Sequence, residues 1–253
     1  MSALPSLVLP SAVPGVWHAD VLGAGLAQTQ PTGHALLDAQ LPGGGWPMGA
    51  LSEVLQPLSG RNEWPLVLPA LARATARRPG AVAAVAPPCE PFGPALQAQG
   101  LPAGRLCVVR ADASAALWAT EQALRCRDVL AVLAWLPQAQ PAALRRLQLA
   151  AARQQQLLWV FRPASAAPQA SPALLRLQVQ GRDGEPTGLR VRILKRRGPP
   201  LEQALDLPGC HPRLAQALAA QTRRREAAQW AAAEALARGN RHALDRAALA
   251  TAA

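Results

Sequence analysis

Tyrosine is absent from this 253-residue sequence, lysine occurs once, at Lys195, and phenylalanine and methionine occur twice each. Only 16% of the residues are charged while 50% are hydrophobic, which excludes an extended disordered chain and points to a packed globular core. Long apolar runs are missing as well. The best of them, Val129–Leu136, falls far short of the roughly 20 residues a membrane helix needs and suits one buried strand. The opening segment lacks a basic stretch followed by an unbroken apolar core, and Pro5, Pro10 and Pro14 interrupt it. A cytosolic location is therefore expected. Cys89, Cys107, Cys126 and Cys210 form no CxxC pair, and Cys210 with His211 cannot complete a tetrahedral site, so structural thiols and no metal centre are expected.

What is present in excess is positive charge, +11 overall, and it gathers late in the chain. From Arg190 to Ala253 twelve basic residues stand against Glu202, Asp206, Glu226, Glu234 and Asp245. A block of this kind signals nucleic acid or an acidic partner surface. The length accommodates one core domain and a tail. Residues 1–15 read as a flexible leader, 16–200 as the core, and 201–253 as a basic helical tail with helical potential over 212–238 and 241–249.

Within the core, apolar runs alternate with helical patterns. The runs at 50–55, 81–86, 105–110, 128–136 and 157–161 read as strands; 65–78, 91–100, 114–125 and 142–153 read as helices. Strand and helix in alternation predict an α/β fold, with a central, mostly parallel sheet flanked by helices. Continuous apolar strands fit burial on both faces. Two later runs, ALLRLQV and GLRVRILK, flank the turn-rich GRDGEP and predict an antiparallel hairpin that extends the sheet. Ahead of all these, TGHALLDAQL places Leu36, Leu37 and Leu41 on one helical face with Thr32 as N-cap, and Gly43–Gly45 ends it.

The stretch TGHALLDAQLPGGGWPMGALSEVLQPLSGRN resembles the opening of a RecA-like P-loop core. Where such a core carries a lysine followed by a serine or threonine to hold phosphates and magnesium, this chain has Ser59, Gly60, Arg61, Asn62 and Glu63. Arg61 does not replace a compact ammonium, and Glu63 is expected to repel phosphates. Pro87 and Pro88 stand where the resemblance puts catalytic acids, and Trp135 and Pro137 surround the expected magnesium aspartate. No nucleotide hydrolysis and no cofactor are expected.

The further strings LWATEQALR, AWLP, LRRLQLAAA, FRP, SPALLRL and ILKRRG resemble the ImuA family over roughly Trp17 to Gly198. This resemblance implies a non-catalytic accessory role in bacterial damage-induced translesion DNA synthesis, with nucleoid association after damage. The implied partners are an ImuB-type Y-family-like protein, an error-prone polymerase III α-type subunit, and RecA as a further candidate. Two alternatives stand beside it: a SulA-like division inhibitor binding the tubulin-like division protein, and an ATP-dependent recombinase.

Arg145, Arg146, Arg162, Lys195, Arg196 and Arg197 are candidate DNA contacts, since guanidinium groups suit phosphate oxygens. In the tail, Leu214 and Leu218 with Trp230 form a narrow apolar stripe flanked by Arg223, Arg224 and Arg225, a candidate partner-docking surface. Only the short segment 162–172 separates the strands between which RecA proteins carry a DNA-binding loop, so Trp159 and Phe161 are expected in the core and no RecA-style filament is expected.

Overall fold

The computed structural model describes residues 28–182, 185–199, 201–208, 220 and 223–231. The chain divides into two compact units, Met1–Gly209 and Cys210–Ala253. In the first, β1 (Thr29–Gln30) and β2 (Trp46–Pro47) form a small antiparallel ribbon. The main sheet has eight strands: β3 (Ala50–Gln56), β4 (Ala81–Val85), β5 (Leu106–Val109), β6 (Val129–Trp135), β7 (Leu157–Pro163), β8 (Leu175–Arg182), β9 (Glu185–Lys195) and β10 (Leu205–Pro208). Their spatial order is β10-β9-β8-β3-β7-β6-β4-β5. All neighbours from β8 through β3 to β5 run parallel, while β8–β9 and β9–β10 are antiparallel. The architecture is α/β with a large, mostly parallel central sheet flanked by helices, consistent with a RecA-like core. The final strand carries the sheet past residue 200, so the core ends eight residues later than the change in composition suggests.

Helices α1 (Ala35–Asp38), α2 (Glu63–Arg77), α3 (Gly93–Ala98), α4 (Ala113–Arg125) and α5 (Pro141–Gln154) connect the strands. Period-two side-chain alternation sorts the core into two layers. Ala131, Leu133 and Trp135 of β6 face a layer shared with Leu66, Ala70 and Leu71 of α2, whereas Val132 and Ala134 face Ala116 and Leu124 of α4 and Leu144 and Leu147 of α5. Trp159 and Phe161 lie fully inside, as their apolar strand requires. Asp112 caps α4 by accepting from the Ser114 and Ala115 amides at 3.0 and 2.8 Å, and Pro141 opens α5 where no amide donor is needed.

The TGH segment has a packing explanation. Gly33 has φ +87°, and a Cβ there would sit 2.4 Å from Cβ of Pro69, so the chain passes against α2 only with glycine. Pro69 lies inside α2 and leaves the Pro65 carbonyl without its helical N–H donor. His34 packs beside this gap, its Nε2 lying 3.2 Å from the adjacent Leu66 carbonyl, and burial holds its imidazole below the ordinary pKa. The helix at this point is shorter than its pattern predicts. Thr32 is no N-cap: its hydroxyl accepts from the His34 amide, and its own amide donates to Asp38, while Leu36 is exposed.

Candidate functional site

The segment joining β3 to α2 holds the residues the sequence singles out as an altered phosphate loop. Ser59, Gly60 and Arg61 are exposed, yet Glu63 is fully buried and turned inward. Its Oε1 accepts from Gln56 Nε2 at 2.5 Å, the Gly60 amide at 2.6 Å and the Trp135 indole at 2.9 Å; Oε2 accepts from the Asn62 amide at 3.0 Å. Gly60 adopts φ +92°, a conformation favouring glycine, and its amide joins those donors. Four neutral donors thus converge on one carboxylate at the start of a 15-residue helix, where the dipole favours negative charge. The expectation that Glu63 merely repels an incoming phosphate is too weak. The carboxylate itself occupies the concavity in which the loop amides meet.

Beside this loop lies a cleft of about 450 Å³ lined by Ala86, Leu117, Trp135, Pro137, Ala143 and Phe161 among others. It opens at the carboxyl ends of β4 and β6, whose following helices, α3 and α5, pack on opposite layers. That is the switch point at which open α/β sheets form ligand crevices. Here the walls are mostly apolar, with Ser59, Gln138 and Gln140 at their polar points, and no group of three or more His, Cys, Asp or Glu side chains gathers anywhere among the described residues. Cys89, Cys107 and Cys126 are free and exposed.

Arg162 is corrected by the structure. Only 2% of its side chain is exposed; its Nη1 lies 2.7 Å from Oε1 of Glu53, itself fully buried on β3. Arg176 of β8 stands directly opposite Glu53, with its Nε 2.5 Å from the second oxygen. The outer donors of the same arginines reach Gln169 Oε1 at 2.6 Å and the Ala166 and Ala167 carbonyls at 3.1 and 3.2 Å. This Arg–Glu–Arg triad therefore ties the segment after β7 onto the sheet, and Arg162 is not open to a phosphate. The signal available in sequence was Glu53 itself, a carboxylate in the middle of an apolar central strand.

Of the other cationic candidates, Arg145 and Arg146 are exposed on α5, where Arg146 bonds Glu121 of α4 and holds that carboxyl below its ordinary pKa. Lys195 is exposed at the end of β9 and donates to the Ser171 carbonyl at 3.2 Å. Arg196 faces back to the Gln40 carbonyl and is a staple, whereas Arg197 is exposed. Sequence reasoning passed over Arg190 and Arg192, which share the solvent face of β9 with Leu194, opposite the core face of Leu189, Val191 and Ile193. The strict alternation in LRVRILK was the signal for them. Arg223, Arg224, Arg225 and Trp230 lie in the helical stretch 223–231 of the second unit. Leu214 and Leu218, the leader and the last predicted helix lie outside the described residues. No helix among the described residues is long and apolar enough to cross a membrane.

No family model matches the chain. It is similar to Protein ImuA of Caulobacter vibrioides, in two strains, at 37% identity over 123 residues, which cover 47% of this chain and 50% of each relative. The chain thus spans about half the length of the curated relatives it matches. With the motif order read from the sequence and a sheet consistent with a RecA-like core, this similarity supports an ImuA-family assignment.

Proposed function

We propose that this chain is a non-catalytic accessory protein of bacterial damage-induced translesion DNA synthesis, acting by binding DNA and the proteins that perform the synthesis. In this reading the β3–α2 loop is a degenerate nucleotide loop. The observation that carries it is Glu63: the amides of Gly60 and Asn62, which could cradle a phosphate, donate to the chain's own carboxylate. An entering phosphate would have to displace a buried anion with four donors, and no lysine in the loop would attract it. The apolar cleft at the ends of β4 and β6 offers no carboxylate to activate water, and Pro87 and Pro88 follow β4 where a base would be required.

What remains is a folded scaffold with charged surfaces. The partners this reading assigns are an ImuB-type Y-family-like protein and an error-prone polymerase III α-type subunit, with RecA as a further contact, and the similarity to ImuA supports it. The tail residues Arg223, Arg224, Arg225 and Trp230 are assigned to partner docking, and Arg145, Arg146, Lys195 and Arg197 to DNA. Co-purification of the ImuB-type protein with this chain, with and without magnesium-ATP, tests the proposal. Retention independent of nucleotide is expected; retention only with ATP, or none under either condition, would overturn it.

A further inference from the structure

The central strands β3, β4, β6 and β7 are buried on both faces, but the β8–β9 hairpin is buried mainly on one. Leu175, Leu177 and Val179 of β8 and Leu189, Val191 and Ile193 of β9 face the core. The alternate positions carry Gln178 and Gln180 on β8 and Arg190 and Arg192 on β9, and the register sets Gln178 beside Arg192 and Gln180 beside Arg190. Arg190 and Arg192 are exposed and, two residues apart on one strand, spring from backbone positions about 6.8 Å apart on the same face. Arg190 is oriented by Asp206 of β10, Nε to Oδ1 at 3.0 Å, and Arg182 lies 3.6 Å from the other oxygen of the same carboxylate. Arg192 and Arg197 have no ion-pair partner among the described residues. Lys195 stands at the end of the strand.

We propose that this open face of the hairpin, centred on Arg192 with Arg190 and Lys195, is a binding surface for the phosphate backbone of nucleic acid. The inference deepens the DNA-binding part of the reading above and rests on it. Charge alone would also suit an acidic protein, but the arrangement of the face decides against one. A protein interface has an apolar or aromatic centre and a polar rim. Here the order is inverted. Arginines and amides form the middle, while the two aliphatic side chains, Leu174 and Leu194, are 41% and 36% exposed and sit at one end. Guanidinium and amide donors in rows suit phosphate oxygens and carry no sequence preference. The buried triad beside it, in which two arginines share the single carboxylate of Glu53, adds to the positive field.

The test is fluorescence anisotropy of a fluorescein-labelled oligothymidylate titrated with the full chain over a series of salt concentrations. The Arg192→Gln, Lys195→Gln double variant should bind about tenfold more weakly and lower the salt slope by about 1.4, at ~0.7 per single-strand phosphate contact. A charge-matched control, Arg73→Gln with Arg77→Gln on α2 across the sheet, should bind like the wild type. If the wild type fails to bind at all, the DNA-binding reading itself fails. If it binds and the double variant matches the control, this face is the wrong one. If polyglutamate competes as well as unlabelled oligothymidylate at equal charge, the surface serves acidic chains in general and the assignment to nucleic acid is wrong. Should the double variant not fold, crosslinking of 4-thiothymidine oligonucleotides to the wild type must map to 175–197; crosslinks confined to other segments would contradict the proposal.

Discussion

The β3–α2 loop and the β8–β9 hairpin treat their charged groups in opposite ways. In the loop a carboxylate turns inward, is fully buried, and meets four donors from the loop, β3 and β6. On the hairpin, cations point outward from a strand whose other side is core. Buried charge serves the fold, because leaving it without partners would be destabilising. Exposed, loosely held charge contributes little to stability and is available to a ligand. The contrast teaches that the position most suggestive of nucleotide chemistry is chemically satisfied from within, while the binding surface proposed above is one that no catalytic motif marks.

The largest expected effect lies in the core. Replacing Glu53 with Ala leaves Arg162 and Arg176 buried without their anion, and urea unfolding should show a loss of about 4 kcal/mol. A loss below about 1 kcal/mol would mean that the triad is not the anchor its geometry describes. Glu63→Ala comes next. It strands the Gln56 amide, the Trp135 indole and two loop amides, and about 3 kcal/mol should be lost.

A smaller, pH-dependent change concerns His34. Burial lowers its folded pKa below the ordinary 6.5, so its neutral form is favoured in the fold. Stability is complete above pH 6.5 and declines as the pH falls below it, because the unfolded chain then binds the proton more readily. Urea midpoints measured on either side of pH 6.5 should show this decline in the wild type and a flatter profile in His34→Gln. Asp112, Glu121 and Asp206, all held below their ordinary values, add a separate loss at more acidic pH. Asp112 is lowered first by its bond from the Ser114 hydroxyl, Glu121 by Arg146 and Asp206 by Arg190. The smallest effect is Arg146→Gln, on a side chain 62% exposed, which should move stability by no more than about 0.5 kcal/mol.

The sheet and its helices were legible because a period of two and a period near 3.6 leave different marks, and the runs at Ala50, Ala81, Val129 and Leu157 carry them clearly. The hairpin was legible from its turn residues. The roles of single charges were not. Nothing near Arg162 in sequence distinguishes it from Arg145; its partner Glu53 comes from another strand, and only the parallel register of β3 and β7 brings them together. Glu63 could be read as a poor phosphate ligand, but its inward turn depends on Trp135 from β6. Thr32 was read as a helix cap because the apolar spacing of Leu37 and Leu41 survives a segment whose helix is only four residues long.

The most direct test of nucleotide-independent function is the melting temperature of the purified wild type in buffer and in millimolar magnesium-ATP, since a ligand that binds only the folded state must raise its stability. The expected result is an unchanged melting temperature, together with no phosphate release. A clear upward shift that Arg61→Ala abolishes would contradict it, because it would mean that the loop admits a nucleotide despite the carboxylate of Glu63.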